Sequence, residues 1–352
     1  LLDQDLVIEA SLGESAGGRK PRLLQLDDTR CRVLGIDIAA ERTTLGIADL
    51  NGIVRHKKIV RTARDPGDFL RQLLHESEAL VAEHLPRDAR LEAIGVGTIG
   101  LVDAAEGSII YASNLDWHDV PVGAALRQRF HRLTVVEANV RAAGLAELWF
   151  GGLDREGLAD MAVVVVDEGI GAAIFSARQL LRGSTGGAGQ FGHVPLDPEG
   201  PTCRCGSRGC WEALAAEPAT VSYYLSRLSR RRSAHTGDAT AADIIALAAA
   251  GEPAAVEATR ETARYLGLGL AILVNAINPA LIVLEAALTK AWHIVEPEIW
   301  NMIRQRALAP NYCSLRIEPS RIEKNPGLMG AVSIALERRF TAPGMSARSA
   351  NA

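Results

Sequence analysis

Three cysteines lie within eight residues of this sequence, and they restrict the local fold more than any other feature does. They are Cys203, Cys205 and Cys210, and nine residues separate His193 from the first of them. Thiolate sulfur and imidazole nitrogen are ligands that zinc prefers, and four of them complete a closed tetrahedral shell. The pattern predicts a structural zinc ion rather than a catalytic one, because no coordination position is left for water. The alternative is a surface loop with free thiols, in which the histidine is satisfied elsewhere.

Composition and charge narrow the class of protein. Five cysteines are an odd number and fit a metal site in a reducing compartment better than a disulfide framework. The chain is 48% apolar and 23% charged, as folded globular proteins are. A net charge of −4 gives no overall attraction to nucleic acid, so a DNA contact would need a local basic patch. No signal peptide begins the sequence, and Asn and Pro interrupt its longest apolar stretch, so we expect a soluble cytoplasmic protein without a membrane partner.

The order of predicted elements indicates an α/β protein with two lobes and a cleft between them. A length of 352 residues suits two domains of ordinary size. We expect an N-terminal lobe at 31–150 and a C-terminal lobe at 151–325. A helix at 326–340 should pack back on the first lobe, and the small polar residues at 341–352 predict a disordered tail.

Hydrophobic patterns and turn residues predict the individual elements. In the first lobe we expect strands at 33–38, 43–49, 53–62, 91–96 and 133–136, and helices at 68–84 and 139–150. Asn51-Gly52 is a strong hairpin signal between two of these strands. In the second lobe, four successive valines within 161–167 predict a buried strand, and another buried strand is expected at 281–284, with helices between them.

Residues 1–30 form a separate segment with no obvious core. Leu1–Leu6 resembles the last turn of a helix, and strands at 6–10 and 23–26 predict a hairpin. Its tip combines glycines with cations that can approach a DNA minor groove and its phosphates closely, and these residues are Gly17, Gly18, Arg19, Lys20 and Arg22. The alternative is a solvated hairpin with ordinary surface charges.

The segment Gly187–His193, followed by Cys203–Glu212, closely resembles the signature of the ROK family. That family contains bacterial sugar kinases and sugar-responsive transcriptional regulators built on one actin-like, ATPase-type fold. Gly95–Asp103 resembles the glycine loop of its sugar cleft. Asn114–Trp117 resembles its sugar-binding segment, here one residue shorter. The resemblance covers about Val33 to Phe340 and implies a two-lobed, actin-like sugar-kinase fold.

By this resemblance, sugar would be bound by residues that can donate to or accept from adjacent hydroxyls. His193 would bind zinc through one ring nitrogen and face the sugar with the other, so that the metal fixes its orientation. Glu212 could instead be an acidic residue in the first turn of a helix, and Asn114 an ordinary turn residue. The implied sugar-binding set is Gly97, Thr98, Asn114, Glu137, Gln190, His193 and Glu212.

The loops that hold ATP phosphates in kinases of this family are altered here. Their first loop reads Asp-x-Gly-Gly-Thr, whereas Asp37–Thr43 has Ala-Ala-Glu in place of the two glycines. Their second loop reads Gly-Thr-Gly-Ile-Gly, whereas Asp167–Gly171 begins with two carboxylates, and Glu285-Ala286 replaces a third glycine pair. A carboxylate about 4 Å from a phosphate would cost about 4 kcal/mol at an effective dielectric near 20.

The resemblance therefore predicts no ATP cofactor and no catalytic residue. The position of the kinase aspartate is held by Glu137, which is one methylene longer and could misplace a general base. Gln190 stands where the kinases carry a glutamate, and it keeps hydrogen bonding while it removes charge. These changes indicate a sugar-binding site that is retained and a nucleotide-binding site that is lost.

Gly13–Pro21 resembles the wing tip of the winged helix-turn-helix in the family's regulators. We therefore predict a sugar-responsive transcriptional regulator, of the repressor type, that binds operator DNA as a homodimer or tetramer. The recognition helix is expected in about fifty residues upstream of Leu1. One alternative is an ATP-dependent hexose or N-acylhexosamine kinase with unusual loops. Another is a regulator with an inactive sugar site that acts through protein partners.

Overall fold

The computed structural model describes residues 6–12, 22–112, 114–152, 159–231, 239–322 and 325–341. The chain divides into two compact units, which we call unit 1 (Leu1–Phe150 with Ile322–Ala352) and unit 2 (Gly151–Arg321). The helical turn expected at Leu1–Leu6 lies outside the described residues except for Leu6, and the tail expected at 341–352 lies outside them except for Thr341, which is helical.

Unit 1 is built on a five-stranded mixed sheet of order β10-β6-β3-β4-β5. Strands β3, β6 and β10 are parallel, and β4 and β5 continue the sheet as antiparallel hairpins. A second sheet of order β7-β8-β9, which the sequence did not predict, follows β6. The strands of unit 1 are β1 (Val7–Leu12), β2 (Arg22–Leu26), β3 (Cys31–Ile38), β4 (Arg42–Asp49), β5 (Val54–Arg61), β6 (Arg90–Thr98), β7 (Leu101–Asp103), β8 (Ser108–Ala112), β9 (Trp117–Val120) and β10 (Leu133–Ala138).

The helices in the described part of unit 1 are α1 (Pro66–His84), α2 (Val122–Phe130), α3 (Asn139–Phe150) and, from the C-terminal segment, α10 (Pro326–Thr341). Helix α10 packs on β3 and β6 and buries Ala331, Val332 and Ala335 there. The sheet accepts it because glycines face the helix. A Cβ on Gly35 would lie 2.8 Å from Val332 Cγ2, which is closer than real Cβ contacts allow.

Strands β1 and β2 form an antiparallel two-stranded hairpin ahead of the main sheet. Its base is joined to unit 1 because Leu6 is fully buried among residues of β3 and α10, and the backbone N–H of Asp27 donates to its carbonyl oxygen at 2.9 Å. Farther along, both strands are exposed at Ile8 and Leu24.

Unit 2 repeats the sheet of unit 1 in strand order and direction. Its sheet has the order β13-β12-β11-β14-β15, with β11, β14 and β15 parallel and β12 and β13 antiparallel. Its elements are β11 (Met161–Val166), β12 (Ile170–Ser176), β13 (Gln179–Leu180), α4 (Trp211–Ala215), α5 (Glu217–Arg231), α6 (Ala241–Ala249), α7 (Pro253–Ile277), β14 (Leu281–Ala286), α8 (Trp292–Arg306), α9 (Ala309–Tyr312) and β15 (Arg316–Pro319).

Hydrophobic burial explains the sheet of unit 2, since Val164 and Val166 of β11 and Ile282 and Leu284 of β14 share one core cluster with residues of α7 and α8. Within the described ranges, no helix is both long enough and apolar enough to cross a membrane.

Most of the predicted strands and helices are present with ends that differ by at most two residues. Helix α3 has the predicted bounds Asn139–Phe150, and the buried strands β11 and β14 begin at the predicted Met161 and Leu281. The Asn51-Gly52 turn connects β4 and β5, with Gly52 at φ 80°. Strands β13 and β15 are short and were not predicted, because too few residues carry a hydrophobic pattern.

Candidate metal centre and sugar-binding residues

The predicted zinc ligands lie in a tightly folded segment of unit 2, residues 193–210, which we call the metal loop. Short backbone bonds close it: Cys203 N donates to Ser207 O at 2.8 Å, and Gly209 N donates to Pro201 O at 2.8 Å. Gly209 has φ 59°, and a Cβ there would overlap the carbonyl oxygen of Asp197. Because only glycine fits such an approach, the loop can turn back on itself and bring its cysteines together.

The structure brings His193, Cys203, Cys205 and Cys210 together, with all four ligand atoms within 4.8 Å of one another. Cys205 Sγ lies 3.7 Å from Cys210 Sγ, and Cys203 Sγ lies 3.8 Å from His193 Nδ1. Two Zn–S bonds of about 2.3 Å at a tetrahedral angle would separate the sulfurs by about 3.8 Å. The spacing and chemistry of the donor set therefore fit a tetrahedral zinc ion, and they do not fit thiols scattered over a surface loop.

The three thiols have different acidities. Burial raises the pKa of Cys203 to about 12 and also raises the pKa of Cys210. A backbone N–H from Ser207, together with the other thiols, lowers the pKa of the exposed Cys205. Because a metal binds the thiolate form, an ion in this site would release protons from the two buried cysteines on binding.

The metal loop is anchored to the core of unit 2 through Trp211, the residue directly after Cys210. Its indole is 1% exposed and packs flat against Gly269 of α7, where any Cβ would overlap the ring. The backbone N–H of Trp211 donates to Val194 O at 2.9 Å, next to His193. The first and last candidate ligands, His193 and Cys210, are thus the chain neighbours of a hydrogen-bonded pair, Val194 and Trp211.

Two further residues of the sugar-binding set lie in unit 2. Gln190 is exposed, and its carbonyl oxygen accepts from His193 N at 3.2 Å. Glu212 lies in the first turn of α4, but its carboxylate does not cap that helix. Instead, its Oε2 accepts from the backbone N–H of Ile170 at 3.2 Å, and its Oε1 lies 3.6 Å from Cys203 Sγ.

In unit 1, three residues lie side by side at the carboxyl ends of parallel strands. Gly97 of β6 is in register with Asp37 of β3 on one side and with Glu137 of β10 on the other. Thr98 follows, fully buried, and its hydroxyl donates to Ile99 O at 3.1 Å. The carboxyl ends of parallel strands are where ligands bind in α/β proteins, so the position of this group suits a binding role.

Glu137 forms a buried ion pair that the sequence analysis missed. Arg141 Nε donates to Glu137 Oε1 at 2.6 Å, and the side chains are 4% and 2% exposed. The two residues are four apart at the start of α3, a spacing that favours such pairs on helices, so the signal was present in the sequence. The guanidinium of Arg141 thus already engages one oxygen of the Glu137 carboxylate.

Asn114 lies in the turn between β8 and β9, and a neighbouring segment holds its backbone. Arg64 Nη1 donates to Asn114 O at 3.1 Å, and Trp117 Nε1 donates in return to Arg64 O at 2.7 Å. Trp117 is fully buried and packs on Phe69 of α1, so these two hydrogen bonds are connected to the core of unit 1. Arg64 was not identified from the sequence.

The altered glycine loops have structures of their own. The β3–β4 turn is closed by Ala39 N donating to Arg42 O at 3.0 Å, and the hydroxyl of Thr43 is buried against that of Thr62 at 2.9 Å. Residues 167–171 comprise the turn between β11 and β12 and the first two residues of β12, and we call this segment the acidic turn. The pKa of Glu217 is raised by burial and then by the charges of Asp167 and Glu168, so anionic groups concentrate at this turn.

The predicted DNA-binding tip falls largely outside the described residues, which exclude Gly17, Gly18, Arg19 and Lys20. Arg22 is described as the first residue of β2, and it is exposed. Its guanidinium forms an ion pair with Glu9 on β1, which raises the pKa of Arg22.

Comparison with known proteins places these features in a family. A sequence profile of the ROK family matches residues 33–338. The chain is 26% identical to the xylose repressor of Caldicellulosiruptor bescii, over 97% of this chain and 88% of that one.

Among solved structures, a ROK family transcriptional regulator described as a homologue of the Escherichia coli MLC protein has a TM-score of 0.86. It is 26% identical, with 96% of this chain and 86% of that one covered. A ROK family glucokinase from Streptomyces griseus, solved with glucose and AMPPNP, has a TM-score of 0.75 and is also 26% identical, with 87% and 99% covered. The predicted α/β fold of the actin-like sugar-kinase type is thereby confirmed.

Proposed function

This chain belongs to the ROK family, and from that premise we propose that it is a sugar-responsive transcriptional regulator of the repressor type. The proposal rests on how much of this chain is matched by a regulator structure and how much by a kinase structure. The regulator structure matches nearly the whole chain, whereas the glucokinase leaves about an eighth of it unmatched. The family profile begins at residue 33, after the β1–β2 hairpin, so a regulator accounts for more of this chain than a kinase does.

The altered loops support a protein that does not transfer phosphate. Burial and then the charges of Asp167 and Glu168 raise the pKa of Glu217 in unit 2, and the nearby Lys290 offsets them only in part. Phosphate groups brought to such a place would meet repulsion rather than the backbone N–H donors of a glycine loop. We infer that ATP is not a cofactor of this chain and that Glu137 is not a general base.

We propose that the metal loop binds one structural zinc ion through His193, Cys203, Cys205 and Cys210. Bound zinc would cross-link the loop and orient the imidazole. Cys210→Ser should abolish stoichiometric zinc binding and lower Tm, whereas Cys313→Ser, which changes an exposed cysteine elsewhere in unit 2, should leave both unchanged. Zinc released by the purified variants and measured with a colorimetric chelator decides this, and equal zinc content in both would contradict the assignment.

We propose that the effector is a sugar, bound through hydroxyl-bonding groups of the residues identified above. Asn114 and Glu137, with Gly97 and Thr98, are the candidates in unit 1. Gln190, His193 and Glu212 are the candidates in unit 2. Asn114→Ala should weaken sugar binding at least tenfold, because a site built to bond a hydroxyl loses a partner that water must replace. Isothermal titration with xylose, glucose and N-acetylglucosamine measures the effect.

DNA and other copies of the chain are the proposed macromolecular partners, with the β1–β2 hairpin as part of a winged helix-turn-helix and a homodimer or tetramer as the assembly. The test uses the full-length protein and sheared genomic DNA from its host. Bound fragments are sequenced with and without each sugar. A regulator should enrich a few sites, and one sugar should change that enrichment at least tenfold. Uniform recovery that no sugar alters would overturn the proposal.

A further inference from the structure

The carboxylate of Glu212 connects the metal loop to the acidic turn within unit 2. One oxygen lies 3.6 Å from the sulfur of Cys203, and the other accepts from the backbone N–H of Ile170 at 3.2 Å. The fit around it is close, since a Cβ on Gly169 would lie 2.5 Å from Glu212 Oε2. The carboxylate therefore contacts a proposed metal ligand and the turn backbone at the same time.

Two other contacts join the same segments. Arg204, which stands between two of the cysteines, lies 3.5 Å from Glu168 in an exposed ion pair. An exposed pair of this kind contributes little by itself. On the other side, Gly192 directly precedes His193, and a Cβ on it would overlap the carbonyl oxygen of Ile170. Backbone and side chains of the metal loop thus meet Ile170 from two directions.

We infer that Glu212 is a positioning residue that transmits the occupancy of the metal site to the acidic turn. The inference rests on the proposed metal site and adds a regulated element to it. A bound ion fixes Cys203 and Cys210, which stands two residues before Glu212, so that the cross-linked loop keeps Oε2 directed at Ile170. Without the ion, the loop loses its cross-link, and the acceptor of the Ile170 N–H is no longer held in place.

The consequence concerns a turn that replaces a phosphate-binding loop of the kinases. In this chain the carboxylate of Glu212 holds the turn through its hydrogen bond with the Ile170 N–H, and that contact depends on the metal. A sugar hydroxyl bound by Glu212 would share its carboxylate with the Ile170 N–H, so sugar and metal would act on the same turn.

Hydrogen exchange of the full chain, read by mass spectrometry on peptides that contain Ile170, tests this inference. Exchange is compared in zinc-loaded protein and after removal of zinc with a chelator. A hydrogen bond to a charged acceptor is worth enough to slow exchange about tenfold or more. We expect chelation to speed exchange at Ile170 by that factor, while peptides of β14 remain slow.

Variants separate Glu212 from the rest of the loop. Glu212→Ala should exchange rapidly at Ile170 even with one zinc bound, whereas Glu199→Ala removes an exposed carboxylate of the same loop and should match wild type. Arg204→Ala should have a small effect and Arg208→Ala none.

Gly169→Ala provides an independent test in which Glu212 itself is not substituted. Its Cβ should displace the carboxylate and speed exchange at Ile170. Gly187→Ala is the matched control, since its Cβ would meet nothing closer than 3.7 Å.

The outcomes separate the two proposals. If one zinc binds and neither chelation nor Glu212→Ala changes exchange at Ile170, the positioning role is overturned while the metal site stands. If wild-type protein binds no zinc at this loop, the metal site itself is overturned, and the inference falls with it.

Discussion

At the residue scale, two glutamate–arginine pairs of this chain differ mainly in their exposure to water. Glu137 is buried beside Arg141, whereas Glu168 is exposed beside Arg204. The first pair is shielded from water and the second is not, so the same chemical groups contribute very differently to stability.

Arg141→Met tests the buried pair. It removes the guanidinium and leaves Glu137 buried without it, which should cost about 3 kcal/mol or more in the free energy of unfolding. Replacing both Glu137 and Arg141 by Met should recover more than half of that loss, because no buried charge remains. Urea unfolding of the three proteins measures both effects.

The matched control is Arg71→Met on α1, where an arginine that is 75% exposed pairs with Asp68. It should change the free energy of unfolding by less than about 0.5 kcal/mol. Equal losses for the buried and exposed arginines would show that the Glu137–Arg141 pair does not matter for folding.

Glu92 on β6 provides a prediction for pH dependence. Burial acts to raise its pKa, but hydrogen bonds from Arg90 and Arg339 outweigh burial, and the net pKa is lowered. Its contribution to stability is therefore present above the unfolded pKa, near 4.3, and is lost as pH falls through the lower folded value. Between about pH 6 and pH 3, wild type should lose more stability than Glu92→Gln. Parallel losses in thermal melts would contradict this assignment.

At the element scale, glycines determine where a helix can pack closely on a sheet or on an aromatic side chain. Helix α10 lies directly on the sheet of unit 1 because Gly35, Gly46 and Gly95 present no side chain to it. Over a hundred residues separate α10 from these strands in sequence, so the contact joins the two chain segments that make up unit 1. In the same way, Gly269 of α7 leaves room for the indole of Trp211.

Gly95→Ala should disrupt the α10 contact. Its Cβ would overlap the backbone carbonyl oxygen of Ala331, which cannot rotate away, so we expect a loss of about 2 kcal/mol. Gly97→Ala, two residues farther along β6, would place its Cβ 3.5 Å from Ala142 Cβ, an ordinary contact. That variant should remain within about 0.5 kcal/mol of wild type in chemical denaturation. A tolerated Gly95→Ala would mean that α10 packs differently.

At the scale of the whole molecule, two units with the same sheet order carry different candidate groups. Unit 1 offers the ends of β3, β6 and β10, and unit 2 offers the metal loop and the acidic turn. The chain resembles regulators over nearly its entire length and kinases over most of it, so the fold alone does not separate the two activities. The altered loops are the basis for proposing that this chain does not transfer phosphate, because that reaction needs donors where this chain has carboxylates.

The zinc-loaded chain should release no ADP from Mg-ATP above background with hexoses, pentoses or amino sugars. A coupled assay for ADP measures this, with a ROK family glucokinase as the positive control. Turnover with any sugar would favour the kinase activity over the proposed regulator function. It would also mean that the acidic turn accommodates phosphate through magnesium.

The sequence by itself determined most of the elements and the residues of the candidate metal site. Local signals were sufficient for α3, β11 and the cluster of His193, Cys203, Cys205 and Cys210, because periodicity, turn residues and ligand spacing act within a short stretch of chain. Family membership and the regulator reading also followed from short motifs, which the comparisons confirmed.

Tertiary structure alone decided the partners of the functional side chains. The contact of Glu212 with Ile170 spans 42 residues, and the bond from Arg64 to Asn114 spans 50. Such pairs depend on which strands lie side by side and on where glycines permit close approach. Those arrangements are set by packing over the whole unit rather than by neighbours in sequence, so spacing and composition did not reveal them.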